Sequence, residues 1–214
     1  MFLFVDRHDA GRKLAVLLAK YKDDASLLII GLPRGGVVVA YEVARSLQKP
    51  FDVICPRKVG APFNPELALG AVTETGEGYF NDHLIASLGV SKSYIEKESQ
   101  KEQRVAKMRL ELFRKGKDPL SFKDKTVIII DDGLATGATM KAAIQSIKSQ
   151  KPKKLVVAVP VSPPDTANEI SQMCDEFIAL STPWQFQAVG QFYEDFGQTD
   201  DDEVVELLQR QPRE

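Results

Sequence analysis

The chain has 214 residues, 43% hydrophobic and 27% charged. This is ordinary globular composition, and it excludes a disordered chain, a collagen-like repeat and a coiled-coil rod. Twenty-eight basic residues against 30 acidic ones leave a net charge of −2, without the basic excess of a general nucleic-acid binder. Two cysteines, Cys55 and Cys174, are too few for a disulfide framework or a four-cysteine zinc site, and their strand-like neighbours predict buried thiols. The start, Met1-Phe2-Leu3-Phe4-Val5-Asp6-Arg7, lacks the basic region and long apolar run of a signal peptide. The apolar runs at 27–30 and 127–130 are too short to span a bilayer. The expectation is a soluble, cytoplasmic protein with no membrane and no nucleic-acid partner.

In chain order, residues 10–21 predict an amphipathic helix with Asp9 as N-cap and Leu14, Leu17 and Leu18 on its inner face. Leu27-Leu28-Ile29-Ile30 predicts a strand buried on both faces. A turn at 31–36 leads to a helix over 37–48, and Phe51-Asp52-Val53-Ile54-Cys55 predicts a second strand. Residues 60–120 interrupt the alternation. They hold a predicted hairpin, 67–74 with 79–81, around the turn Thr75-Gly76-Glu77-Gly78. A polar helix follows near 92–115, packing through Tyr94, Ile95, Val105, Met108 and Leu112. Strands at 127–130, 155–159 and 176–180, with a helix near 138–150, resume the pattern. A segment dense in aromatics closes it: Trp184, Phe186, Phe192, Tyr193 and Phe196.

Alternating strands and helices argue for an α/β fold. The expected form is a doubly wound, mostly parallel sheet of about five strands with helices on both faces. Residues 1–214 are expected to form a single domain, with a hairpin–helix insertion at about 60–120 and a small hood at about 181–214.

The segment that carries chemistry is Val127-Ile128-Ile129-Ile130-Asp131-Asp132-Gly133-Leu134-Ala135-Thr136-Gly137-Ala138-Thr139. An apolar strand ends in two adjacent carboxylates, which repel each other unless something binds them. A vicinal diol offers such a pair two donors, and a metal ion offers charge. Gly133 and Gly137 open backbone angles closed to other residues. Thr136 and Thr139 add hydroxyls beside the free N–H groups of a helix start, the makings of a phosphate cradle. The P-loop, the dinucleotide-binding glycine pattern, Gly-x-Ser-x-Gly and His-Glu-x-x-His are all missing from the chain. His8 and His83 have no partner pattern and read as surface or capping residues.

These thirteen residues resemble the phosphoribosyl pyrophosphate (PRPP) motif of type I phosphoribosyltransferases. The resemblance implies that Asp131 and Asp132 hold the ribose hydroxyls, and that Ala135, Thr136, Gly137, Ala138 and Thr139 hold the 5′-phosphate. Leu32-Pro33-Arg34-Gly35-Gly36 is similar to the family's pyrophosphate loop, in which the Pro33–Arg34 peptide bond is expected to be cis. Arg57-Lys58 resembles the base of a mobile catalytic loop, here expected over 57–76. Pyrophosphate is therefore assigned to Arg34, Gly35, Gly36, Arg57 and Lys58, and catalysis to Arg34, Lys58, Asp131 and Asp132. The whole sequence is also similar to a phosphoribosyltransferase-like group that shares the segments at 33–36, 57–60 and 64–66.

The implied activity is Mg²⁺-dependent transfer of phosphoribose from PRPP to a nitrogenous base, a pentosyl transfer of nucleotide and nucleoside metabolism. Mg²⁺ is held mainly by PRPP, with no direct protein ligand assigned. Ala135 stands where hypoxanthine-guanine enzymes carry an aspartate. The general acid or base stays open among Glu66, Glu74 and Glu77. Trp184 and Phe186, with Val161, are candidates for stacking on the base. The alternative is a non-catalytic regulator that binds PRPP or a nucleotide. The chain has no room for an appended DNA-binding helix pair, and the reading leaves space for a homodimer.

Overall fold

The computed structural model describes residues 3–118 and 121–210. The last residues of the expected hood, 211–214, and two of the expected insertion, 119–120, lie outside them. Helix α1, Arg7–Leu18, starts earlier than its leucine spacing predicts, because the N-cap is Asp6 and not Asp9. Asp6 accepts the Asp9 N–H at 2.7 Å, while the Asp9 carboxylate reaches back to the Val5 N–H and forward to Lys13. The buried stripe is Ala10, Gly11, Leu14, Ala15 and Leu18, so Leu17, expected inside, is exposed.

Next come β1 (Leu27–Gly31), α2 (Gly35–Leu47) and β2 (Phe51–Val53). The interrupting region forms β3 (Arg57–Ala61), β4 (Asn64–Val72), β5 (Gly78–Phe80), α3 (Asp82–Ser87) and α4 (Lys92–Arg114). The alternation resumes with β6 (Thr126–Ile130), α5 (Ala138–Ser149), β7 (Lys154–Val161), α6 (Pro164–Ser171) and β8 (Glu176–Ser181). Helix α7, Asp201–Gln209, follows the aromatic segment. It has an Asp200 cap and a period of Val204, Val205, Leu207 and Leu208, which the sequence reading passed over.

The main sheet is parallel, in the order β2-β1-β6-β7-β8. Alternate residues of β6 serve opposite cores. Ile128 and Ile130 pack with α1, α2, α4 and α7, and Val127 and Ile129 with α5 and α6. The connection out of β1 therefore runs over one face and those out of β6 and β7 over the other. The strand order reverses between β1 and β6, the crevice where ligands of such sheets bind. Gly31 pairs with Ile130, and the Leu32 N–H continues the ladder to the Ile130 carbonyl at 2.9 Å, so the two following loops leave the sheet side by side.

The region expected to be a mobile loop and hairpin is a three-stranded antiparallel sheet, β3-β4-β5, bulged at Gly60 and packed on α4 and α5. Helix α4 turns a different face inward than expected. Glu102, Ala106, Leu110 and Phe113 are buried, while Met108 and Leu112 are exposed. No helix among the described residues is long and apolar enough to cross a membrane.

Candidate active site

Two loops meet at the carboxyl ends of β1 and β6. The Pro33–Arg34 peptide bond is cis. Beyond it, Gly35 and Gly36 lie directly against the acid pair. A methyl group on Gly35 would collide with the Asp132 carboxylate and sit 2.6 Å from Arg7 Nε. One on Gly36 would sit 2.8 Å from both Asp131 Cα and Asp131 Oδ1. Only glycine permits this approach, so the sequence brings the backbone of one loop onto the carboxylates of the other.

Downstream, Gly137 adopts φ +70° and caps α5 without a side-chain hydrogen bond. The first N–H groups of α5 thus have no side-chain acceptor, and the positive end of the helix faces the loop. Ala135 and Thr136 are exposed at its rim. The loop is anchored from behind, where Leu134 N–H donates to the Val161 carbonyl and Thr166 Oγ1 donates to the Ala135 carbonyl at 2.7 Å. The five expected phosphate-binding residues therefore form one turn at a helix start, an arrangement that suits an anion.

The acid pair is electrostatically divided. Asp131 Oδ1 accepts the Asp132 N–H at 2.8 Å, and the two carboxyls interact directly. Burial, then the charge of Asp132, push the Asp131 carboxyl well above the usual carboxylate range. Burial also raises Asp132, but the Arg7 guanidinium opposes it, with Arg7 Nε 2.7 Å from Asp132 Oδ2. Tyr193 Oη donates to the Asp132 carbonyl at 2.6 Å, and burial followed by the Asp132 charge pushes that phenol up. The sequence reading missed both Arg7 and Tyr193. Arg7 is 125 residues from Asp132, and no local spacing joins them.

The expected cations differ in state. Arg34 and Lys58 form no ion pair among the described residues, and Lys58 is exposed. Arg57 is oriented by Glu102, its Nε 2.9 Å from Glu102 Oε2, while the residue still lines a cleft beside Lys58. This cleft, of about 600 Å³, brings together Pro33, Arg57, Lys58, Glu66 and Thr139. A second, of about 260 Å³, joins Lys58 and Glu66 to Thr136, Ala138 and Lys141. Glu66 lines both; Glu74 and Glu77 line neither.

Glu74 is instead half-buried and lines a separate cleft with Lys107 and Arg114 of α4. It accepts the Cys55 N–H at 3.3 Å, and burial raises its carboxyl. Cys55 is buried and Cys174 half-buried, both as free thiols. His8 contacts Glu42 at 2.8 Å, and His83 is exposed on α3.

The aromatic segment splits. Phe192 and Tyr193 are buried with Phe4 and Val161, and Phe186 stacks on Phe192 with ring centroids 5.2 Å apart. Trp184 is 86% exposed, so of the two stacking candidates only its ring is open. Val161 is fully enclosed in this small core.

At the β1/β6 reversal a glycine turn is thus laid on two strand-end acids beside an open helix start. The family model for the phosphoribosyl transferase domain matches residues 6–194, and the chain belongs to that family. Two Mycobacterium tuberculosis proteins, named provisionally as phosphoribosyl transferases, are each 45% identical over all 214 residues. The match covers 48% of each, so the chain spans about half the length of the curated relatives it matches. The solved structure of TT1426 from Thermus thermophilus is 42% identical, covers 99% of both chains and superposes with a TM-score of 0.83.

Proposed function

We propose that this chain is a phosphoribosyltransferase in the active sense: it transfers 5-phosphoribose from PRPP to a nitrogenous base and releases pyrophosphate. The observation that carries the reading is the contact of Gly35 and Gly36 with Asp132 and Asp131, beside a cleft that reaches Lys58 and Thr139. A vicinal diol on the acid pair, a phosphate on Ala135, Thr136, Gly137, Ala138 and Thr139, and a pyrophosphate near Arg34, Gly35, Gly36 and Lys58 fit that layout.

Transfer breaks a C1–O bond and leaves cationic character on the sugar and negative charge on the departing pyrophosphate. Arg34, Lys58 and backbone N–H groups of the glycine turn stabilise the leaving group. Asp131 and Asp132 orient the ribose and keep negative potential beside the cationic sugar. Glu66, the glutamate that lines both clefts beside Lys58, is the group we assign to proton transfer with the acceptor. The buried acid pair, only partly offset by Arg7, suits a ligand that arrives carrying a divalent cation. Mg²⁺ bound to PRPP would neutralise the leaving pyrophosphate. Trp184 offers an open ring on which a flat acceptor can stack. We take residues 1–214 as one cytoplasmic unit, with the 60–120 insertion and the 181–214 segment flanking the site.

The test is pyrophosphate release from PRPP and Mg²⁺ across a panel of purine, pyrimidine and small heterocyclic bases. Release that depends on one class of base is the expected result. Tight PRPP binding without release from any base would replace the enzyme with a binding protein. No PRPP binding would end the reading.

A further inference from the structure

The acid pair does not stand alone. The chain entering α1 runs beside the aromatic segment: the Leu3 and Phe4 N–H groups donate to the Phe192 carbonyl, and Glu194 and Asp195 N–H groups donate to the carbonyls of Phe4 and Val5. This pairing fixes the start of α1 and delivers its first residue, Arg7, to the strand end of β6, 125 positions away. Three contacts hold the guanidinium there. Its Nη1 donates to the Gly197 carbonyl at 2.6 Å, its Cζ lies 3.8 Å above the Phe196 ring, and its Nε meets Asp132 Oδ2 at 2.7 Å. The Arg7 and Asp132 side chains are only 13% and 15% exposed, so the pair is little screened by water.

We propose that Arg7 is a positioning residue of the phosphoribosyl site: it fixes the Asp132 carboxylate and orients the acid pair towards the ligand's vicinal diol. This rests on the reading of the acid pair as a ribose site. The geometry gives each carboxylate one occupied oxygen. Arg7 takes Asp132 Oδ2, and the Asp132 N–H takes Asp131 Oδ1. The remaining oxygens bring the two carboxyls into contact with each other, an interaction that the two adjacent hydroxyls of a ligand would replace.

The arrangement also breaks the symmetry of the pair. Two close, buried carboxyls share a proton, and the one without a cation holds it more tightly. Groups that face the pair are Arg7 from α1 and the Tyr193 hydroxyl from the aromatic segment. Arg34 belongs to the turn packed against it, and Asp9 lies near enough to Tyr193 to affect its ionisation. Of these, Arg7 is the cation in contact with a carboxylate oxygen, and that oxygen belongs to Asp132 and not to Asp131.

The test uses Arg7→Gln, which keeps N–H donors for Gly197 but loses the charge, and Arg7→Lys, which keeps the charge. Phe196→Leu serves as a milder variant that loosens the stack should Arg7→Gln fold poorly. Carboxyl titrations of Asp131 and Asp132 are read by carbon NMR in the ligand-free protein, alongside calorimetry with PRPP and Mg²⁺. In Arg7→Gln the Asp132 titration should move up by about one pH unit, and PRPP affinity near neutral pH should fall about tenfold. Arg7→Lys should restore most of both.

Unchanged carboxyl titrations in Arg7→Gln, or Arg7→Lys behaving like Arg7→Gln, overturn the inference and leave the phosphoribosyl reading standing. PRPP binding to Asp131→Asn and Asp132→Asn as tightly as to the unmodified protein overturns the reading itself, and Arg7's part with it.

Discussion

Gly36 sits where the backbone of one loop touches the backbone of the other. An added methyl would lie 2.8 Å from Asp131 Cα and 3.0 Å from the Ile130 carbonyl, neither of which can swing away as a side-chain end would. Gly36→Ala must therefore push β1 and β6 apart at their ends. We expect a loss of about 1–3 kcal/mol, read as a lower denaturant midpoint at unchanged slope, together with weaker PRPP binding. Full stability would mean that the two strand ends yield more easily than their pairing implies.

At Glu66 the expectation is the reverse, function without stability. The residue is exposed beside Lys58, so Glu66→Gln should leave melting unchanged and PRPP affinity within about twofold, while turnover drops about a hundredfold. Turnover equal to that of the unmodified protein would return the proton-transfer role to an unassigned group. Lys58→Ala separates a different term. Its contact is with the leaving group, so turnover should fall more than ribose 5-phosphate binding does. Equal losses in both would make Lys58 a general binding cation.

Elements whose apolar residues form continuous or periodic runs were legible, because burial on both faces of a parallel sheet leaves its mark on every position. That is why β1, β6 and β7, and the loop that follows β6, could be placed from sequence; the edge strand β8, half-buried along its whole length, was marked by its apolar run from Phe177 to Leu180. Strand β3 could not. Of its residues only Val59 and Ala61 are buried, and its partner β4 lies across a turn with a bulge at Gly60. The partner of Arg57 was hidden for a related reason: Glu102, which orients it, lies on α4, 45 positions away. The inner face of α4 was misread because a charged residue, Glu102, occupies a buried position once it has that partner.

The consequence concerns motion. Since β4 and β5 are hydrogen-bonded along Gly70–Phe80, Ala71–Tyr79 and Val72–Gly78, a lid spanning 57–76 would have to break a ladder. We expect ligand-dependent protection from hydrogen exchange to concentrate at the exposed β3–β4 turn and the start of β4, residues 62–67, with Phe63 fully exposed at its tip. The β4–β5 pairing should change little. Uniform protection over the whole insertion on adding PRPP and Mg²⁺ would restore the larger lid.

At the scale of the whole molecule, the acid pair ties stability to binding. Asp131 has its carboxyl raised in the folded chain by burial and by Asp132. The native state therefore holds a proton that the unfolded chain has released. Its contribution to stability is complete below the ordinary carboxylate range and is lost as pH rises towards the folded value. Asp131→Asn removes that titration, so the variant should lose less stability than the unmodified protein as pH rises above the ordinary carboxylate range. Matching stability profiles would mean that the pair is already relieved in the empty protein. Ligand binding makes the complementary demand. A vicinal diol donates its hydroxyls, and an ionised carboxylate accepts them better than a carboxyl does, so docking of the ribose favours release of the proton shared by the carboxyls. PRPP binding should therefore release up to about one proton at a pH where the empty pair is still partly protonated, and none well above it. Calorimetry in buffers of different ionisation enthalpy measures this directly, because released protons are taken up by the buffer and add its heat to the observed one. Heats that depend on the buffer near the pair's titration and become independent of it at higher pH are the expected pattern. Heats independent of buffer throughout would show that the pair meets its ligand with its proton in place, with one carboxyl acting as donor and only one as acceptor.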